Sequence, residues 1–407
     1  MDVMYTPPAE VFDAARKKAL YIGIVGLVGC AAGFVLAPGH AYRAWLVAFM
    51  CALGVSLGSM ALMMIQHLSG GAWGIFRRIF EASSRTIPML AVLSLPILFG
   101  MQQLYPWSHP DLVQHDHVLQ AKAPYLNPSF FTIRFILYFV CWSALSMVLN
   151  RLSLKQDSGD VGVNMPIQRL SGAGLVIYAI TVTFAGIDWI MSLNPHWYST
   201  LFGFLMMGGQ GLAALCFTVV IATWLMPKEP TEGWLQPNHF ADLGKLMFAF
   251  VMLYAYFNFS QYLLTYAANL VEETPYMIVR TSHGWQYLAL FLVAFHFAVP
   301  FLLLLSRDRK RNPQRLVLVA LGLLFMRLVD LYMMISPEFA AAGGNLHAHV
   351  GEAEQVSQLF VHWTDLAAPV AIGGLWMWMF LSQLGRRPLF PVGDPYLRES
   401  LQSSGGH

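Results

Sequence analysis

Charge is scarce in this chain. Aspartate, glutamate, lysine and arginine make up 11% of its 407 residues, against 57% apolar residues, whereas an ordinary soluble domain carries about a quarter charged residues. A soluble fold could not cover that much apolar surface with so few solvated groups, and the mean hydropathy of +0.54 agrees. Cysteine is scarce too. Cys30, Cys51, Cys141 and Cys216 are far apart and lie in or beside apolar stretches. The CxxC, CxxCH and ferredoxin spacings that would hold zinc, c-type haem or an iron–sulfur cluster are therefore missing. A net charge of only +2, spread along the loops, leaves no basic footprint for nucleic acid. No removable leader is expected either: Met1 to Lys18 is polar, and the apolar run after it lacks a small-residue cleavage site, so the first helix should remain as an anchor.

What the chain has in quantity is apolar helix. Windows long enough to cross a bilayer, about 20 residues each, fall near 19–37, 43–66, 86–105, 129–150, 170–193, 198–226, 240–268, 284–305, 314–335 and 365–385. The expected class is an all-α, polytopic integral membrane protein: one membrane domain over 1–407, about ten transmembrane helices and a tail at 386–407. Glycine and proline punctuate the connectors, as at Leu68–Ala72, Asp157–Asp160 and Pro227–Pro230. Two loops are longer, 107–128 and 337–364.

Lysine and arginine are retained on the cytoplasmic side of short loops. Nineteen of the 24 fall in the N-terminus, the even-numbered loops and the tail, including Lys17, Lys18, Arg77, Arg78, Arg85, Lys245, Arg309, Arg311, Arg386 and Arg398. The other side has only Arg43, Lys122 and Arg280. This asymmetry predicts that both termini are cytoplasmic. The opposite loops carry Trp107, His109, His115, His117, Glu272, Glu273, His347, His349 and His362, which would face the periplasm of a bacterium. They read as solvated loop residues, with docking to a periplasmic partner as the alternative; their spacings form no recognised metal site.

An ionisable group near the bilayer centre costs about 2.5–3.5 kcal/mol on insertion scales, so it must be paired, face a hydrated cavity or serve a purpose. Asp188 lies in the outer half of the fifth helix, and Arg134 enters at a similar depth on the fourth. If the two helices face each other, the charges can pair and exchange protons through water. Arg327 and Asp330, three residues apart on the ninth helix, share a face. His296 falls near mid-membrane on the eighth. The seventh carries a polar stripe, Tyr254, Tyr256, Asn258, Ser260, Gln261 and Tyr262, which reads as glue between helices or as the lining of a proton or quinol path. At the cytoplasmic ends, His67, Asp242 and Lys245 read as inner mouths or as interfacial residues. Gly54, Gly58, Gly208, Gly209 and Gly211, around Gln210, read as packing surfaces.

Asp188 to Pro195 and Asp330 to Pro337 share the spacing Asp-x-x-Met-x-x-x-Pro. Each closes the last helix of a four-helix set, two to five (43–193) and six to nine (198–335), and the two sets have the same orientation, like parallel transporter repeats. A two-haem cytochrome would need paired histidines on two facing helices. His283 and His296 imitate one such helix, but no partner helix exists, so no redox metal is expected.

The run GIDWIMSLNPHWYST at 186–200 resembles the junction of the fifth and sixth helices in the ActF-type membrane subunit of bacterial alternative complex III. Further likeness comes from Ser56 to Ser59, Gln66 with His67, Gly70 to Gly74, Lys122 to Asn127 and Phe257 to Gln261. The resemblance implies a subunit of a quinol:cytochrome c (or other acceptor) oxidoreductase, related to polysulfide-reductase-type (NrfD-like) anchors, with two four-helix bundles and two peripheral helices in the bacterial cytoplasmic membrane. It implies a sister ten-helix, quinol-oxidising subunit, an iron–sulfur protein and cytochrome c subunits as partners, with a terminal oxidase as a further candidate. A proton path through Asp188, Arg134, Asp330, Arg327, His296, Asp242, Lys245, His67 and Tyr256 is the expectation. Contact with quinone, menaquinone or lipid stays open, and no quinone-binding residues are assigned. A quinol-binding subunit, a structural scaffold and a stand-alone secondary transporter are the competing readings.

Overall fold

A computed structural model describes residues 9–228, 231–232, 234–271, 273–339, 358–395 and 397. Glu272, His347, His349 and Arg398 lie outside the described residues. The chain is an all-α membrane protein with no strand among those residues. Among the described residues ten helices are long and apolar enough to span a bilayer: α1 (Val11–Leu36), α2 (Pro38–Ser69), α3 (Trp73–Phe99), α4 (Pro128–Asp157), α5 (Asn164–Leu193), α6 (Phe202–Leu225), α7 (Pro237–Ala268), α8 (Trp285–Leu305), α9 (Pro313–Glu338) and α10 (Thr364–Leu384).

Local chemistry sets several of these boundaries. α4 and α9 both begin at an Asn-Pro pair: the Asn127 side chain accepts the Phe130 amide at 2.8 Å, and Asn312 accepts that of Arg315 at 3.1 Å. In each case proline occupies the first turn, where its missing N–H costs nothing. α7 starts with a reciprocal cap between Gln236 and His239 and ends at Asn269, whose φ of 47° closes the helix in the left-handed region.

α2 and α6 form the centre, with 94% and 83% of their most apolar windows buried. Around them the neighbours close two rings, α2–α3–α4–α5 and α6–α7–α8–α9. α1 and α10 pack on each other and on α2 outside these bundles. Lipid tails are as apolar as leucine, so helices associate through close packing rather than through escape from water. The glycines serve this: a Cβ on Gly58 would stand 2.1 Å from the Gln210 carbonyl oxygen, and one on Gly26 would stand 2.3 Å from the Ala371 amide nitrogen. Gly58 joins the two bundles, and Gly26 joins the outer pair.

The third span departs from the sequence reading. It begins at Trp73, well before 86, and is broken at Thr86 and at Ser94, each break followed by a proline, Pro88 or Pro96, in the first turn of the next piece. Arg77, Arg78, Glu81 and Arg85 depress the hydropathy of its first half, but Arg77, Arg78 and Glu81 are buried rather than solvated in a loop. Arg77 Nη1 meets Asp394 Oδ2 at 2.8 Å, Arg78 Nη1 meets Glu81 Oε2 at 2.5 Å, and Arg78 also pairs with Asp157. Arg387 adds a bond to Asn150 Oδ1 at 3.0 Å. The positive charges of the basic end are thus partly neutralised inside the protein, and the segment just after α10 folds back to do it. On the opposite end Arg43 is likewise buried, paired with Asp365 of α10 at 2.6 Å.

Candidate functional site

Each bundle holds an aspartate, an arginine and a tyrosine in contact. In the first, Asp188 stands in the last α-helical turn of α5 and is wholly buried. Arg134 of α4 approaches it side-on, Nε to Oδ2 and Nη2 to Oδ1, both at 2.8 Å. This is the planar two-bond fork that favours arginine over lysine. Tyr138, one turn along α4 from Arg134, donates its hydroxyl to Oδ2 at 2.7 Å. The remaining guanidinium nitrogen, Nη1, donates to the Tyr125 carbonyl at 2.9 Å, and the Tyr125 ring lies 3.8 Å from the guanidinium carbon.

In the second bundle the same three groups come from different positions. Arg327 Nη1 reaches Asp330 Oδ2 at 2.5 Å within α9, and Tyr254 of α7 donates to the same oxygen at 2.5 Å. Arg327 Nη1 also donates to the Tyr254 hydroxyl oxygen at 2.8 Å. Room for the guanidinium comes from Gly209 on α6, where a Cβ would lie 2.4 Å from Arg327 Cζ. His296 of α8 stacks at a tilt on Tyr254, ring centres 5.1 Å apart, and its Nε2 is buried with no hydrogen-bond partner. The chemistry of the two bundles repeats although the donor positions do not. The shared Asp-x-x-Met-x-x-x-Pro spacing marks the aspartates alone.

The two clusters differ in access. Below Asp188 lies an aromatic layer, Phe49, Phe135, Phe139, Trp142 and Trp189, all buried, with neighbouring ring centres 5.3–6.4 Å apart. Asp188 itself has no exposed surface. Asp330 lines a cavity of about 740 Å³, walled by α7, α8 and α9 and roofed at the histidine-bearing end by Trp197, Tyr276 and Arg280. Trp197 and Tyr276 stack face to face at 3.7 Å, and Arg280 is held by Glu338 at 2.7 Å. Burial pushes the Tyr276 hydroxyl up to about 12, so it stays a hydrogen-bonding phenol at neutral pH.

The remaining predicted site residues are spread out. Tyr256 is 63% exposed and stands at the rim of that cavity; Asn258, Gln261 and Tyr262 line the cavity with it, and Tyr254 is the buried member of the stripe. Asp242 and Lys245 form a solvent-side pair at 2.8 Å. They lie about 18 and 14 Å below Tyr254 at ~1.5 Å per residue along α7. His67 is buried at the basic end, Nδ1 against Ser171 Oγ at 2.9 Å, and lines a cavity of about 160 Å³ with Gln66, Arg77, Gln156 and Asp394. That point is about 26 Å from Asp188 along α5. The structure therefore joins Arg134 to Asp188, and Arg327 and Asp330 to His296, but brings His67, Asp242 and Lys245 into contact with neither pair. Tyr138 was missed by the sequence reading; its place four residues after Arg134, on the same face of α4, was the available signal. No group of three or more metal-ligating side chains occurs among the described residues.

The class defined by fold and site is a polytopic membrane protein, with ten spans among the described residues and a buried Asp–Arg–Tyr cluster in each four-helix bundle. No protein-family model and no curated protein matches the chain.

Proposed function

We propose that the protein is a membrane subunit of a bacterial quinol:electron-acceptor oxidoreductase of the alternative complex III type. It carries no redox metal and handles protons through the second bundle. The observation that carries this reading is the pair of buried Asp–Arg–Tyr clusters, one per bundle, of which the second opens on a large cavity. The residue runs around 186–200, 122–127 and 257–261 support the assignment to that complex. In this reading the basic end is cytoplasmic, and the partners are a sister ten-helix subunit that oxidises quinol, an iron–sulfur protein and cytochrome c subunits. Asp330 exchanges protons with water in its cavity, and Arg327 and Tyr254 hold the charge when the proton leaves. His296 is the nearest base able to relay it.

For the first bundle a static reading is favoured by a specific observation. Asp188 accepts three side-chain hydrogen bonds beside a sealed aromatic layer. A buried charge pair of this kind orders two helices, and loss of one member costs about 3–5 kcal/mol because the other charge is stranded.

The test is proton release and uptake per electron in the assembled complex. Asp330→Asn should lower the ratio with assembly intact. Asp188→Asn should leave the ratio unchanged and lower the thermal stability. An unchanged ratio in both variants would reject the proton role. Purification of the chain with no redox partner would reject the complex.

A further inference from the structure

The cavity under Trp197 and Tyr276 has the volume of a small-molecule site, which typically spans about 300–1,000 Å³. Its position restricts what can enter. His296 stands 11 residues into α8 from Trp285, about 16 Å down at ~1.5 Å per residue, and a similar distance from the other end. The side wall between α7 and α8 carries outward-facing apolar residues, Phe259 at 61% and Val293 at 59% exposure, which in a membrane meet lipid. A molecule dissolved in the bilayer reaches His296 sideways, whereas a water-soluble one must pass the stacked roof.

The lining also sets the chemistry of the occupant. The cation that lines the space, Arg280, is matched by Glu338, and Arg327, which lies behind the lining aspartate, is matched by Asp330. Neither is free for a phosphate or carboxylate headgroup, and no unpaired acid is present for an amine. Three buried polar atoms of the lining residues have no partner, Trp197 Nε1 and Arg280 Nε in the roof and one in the wall at mid-membrane depth, which belongs to His296. It is 93% buried, as its 7% exposure gives, and Nε2 has no partner. An imidazole nitrogen accepts in one tautomer and donates in the other, so it suits a hydroxyl or a carbonyl oxygen equally. The other walls are aromatic, Phe202, Tyr254, Phe259 and Phe297 among them, with Asn258 beside them.

The backbone contributes as well. Residues Val293–Ala298 form a π-helical turn. Pro300 has no N–H to offer the His296 carbonyl four residues earlier, so the regular α-helical bond is lost and the turn widens. The widened turn carries His296.

We propose that this cavity binds an uncharged, ring-headed lipid whose ring oxygen hydrogen-bonds to His296 Nε2. Quinols and quinones are the lipids of that chemistry. The proposal deepens the function given above and rests on it for the identity of the natural occupant, though binding itself requires no partner.

Equilibrium binding of a labelled short-chain naphthoquinone to the purified full-length chain in detergent is the test, with phosphatidylglycerol as competitor. Wild type should bind one equivalent, and excess phosphatidylglycerol should not displace it. His296→Phe, which keeps the ring and removes the nitrogen, should weaken binding at least tenfold. Ala289→Trp, which fills the side wall, should do the same without touching the buried cluster. Asp188→Asn, in the other bundle, should bind as wild type does. Wild-type affinity in both cavity variants, or equal displacement by phosphatidylglycerol, overturns the proposal; so does an absence of binding to the wild-type chain. If naphthoquinone binds but no redox partner co-purifies, the site stands and the oxidoreductase reading falls. Redox partners without binding give the reverse.

Discussion

At the scale of single residues, the buried charges divide by what their surroundings let them do. Asp188 and Arg134 could be paired on paper, because consecutive helices usually face each other. That Tyr138 completes the cluster follows from a spacing equally visible in the sequence. What could not be read was that one aspartate is sealed and the other faces a cavity, since access depends on the side chains that other helices bring. Outside the spans, Asp116 offers a pH test. Its Oδ1 accepts the Val118 and Leu119 amides at 2.8 and 3.3 Å, and its Oδ2 meets His196 Nε2 at 2.7 Å. Burial alone would raise its pKa; the two amides and the imidazole outweigh this and hold the carboxyl below its ordinary value. A carboxylate depressed in the folded state stabilises fully above its unfolded pKa and loses that contribution as pH falls through the folded value. Protection factors of the Val118 and Leu119 amides should therefore be level from neutral pH to about pH 4 and fall below it. In Asp116→Asn, which keeps an acceptor without a charge, this acid limb should be absent.

At the scale of elements, nine of the ten helices were legible in place and extent because a membrane span needs an uninterrupted apolar run, and their ends because proline, asparagine and glycine act locally. α3 was not, since hydropathy scores Arg77, Arg78 and Glu81 as loop while the fold pairs them inside the protein. The glycines of α2 and α6 were read as packing surfaces, and the contact they permit is closest at Gly58. Gly58→Leu should drive α2 from α6 and lower stability by about 1–3 kcal/mol, the usual cost of overpacking. Gly54→Ala, whose new Cβ would lie 3.5 Å from Gln210 Cγ, should be tolerated. Thermal unfolding in detergent compares the two.

At the scale of the molecule, the basic end is tied together across the whole chain length. Asp394 bonds both Arg77 and Gln66, Gly393 donates its amide to Asp157, and Arg387 reaches Asn150. Gly393 is required by geometry, because a Cβ there would lie 2.0 Å from the Gln156 carbonyl oxygen. The segment after α10 thus acts as a clasp on the first bundle. Asp394→Ala leaves Arg77 with Glu81 as its remaining carboxylate partner, beside its bond to Gln156, and should cost about 2 kcal/mol, in the range of a hydrogen bond to a charged group. Removing the chain from Leu389 onward should cost more and expose the α4–α5 junction beside Asp157 to protease. A truncated protein as stable as the full chain would show that the clasp contributes nothing.

Composition and the length of apolar runs determined by themselves that this is a ten-helix membrane protein, because the bilayer imposes one requirement on every span regardless of its neighbours. The sequence also named the intramembrane charges, since each is costly enough to stand out. Only the tertiary structure decided which of them meet, that α2 and α6 are the shared centre, and that α7 and α8 part to leave a cavity over Asp330 and His296. Those outcomes depend on shape complementarity between residues far apart in the chain. The hydropathy of a single segment carries no record of it.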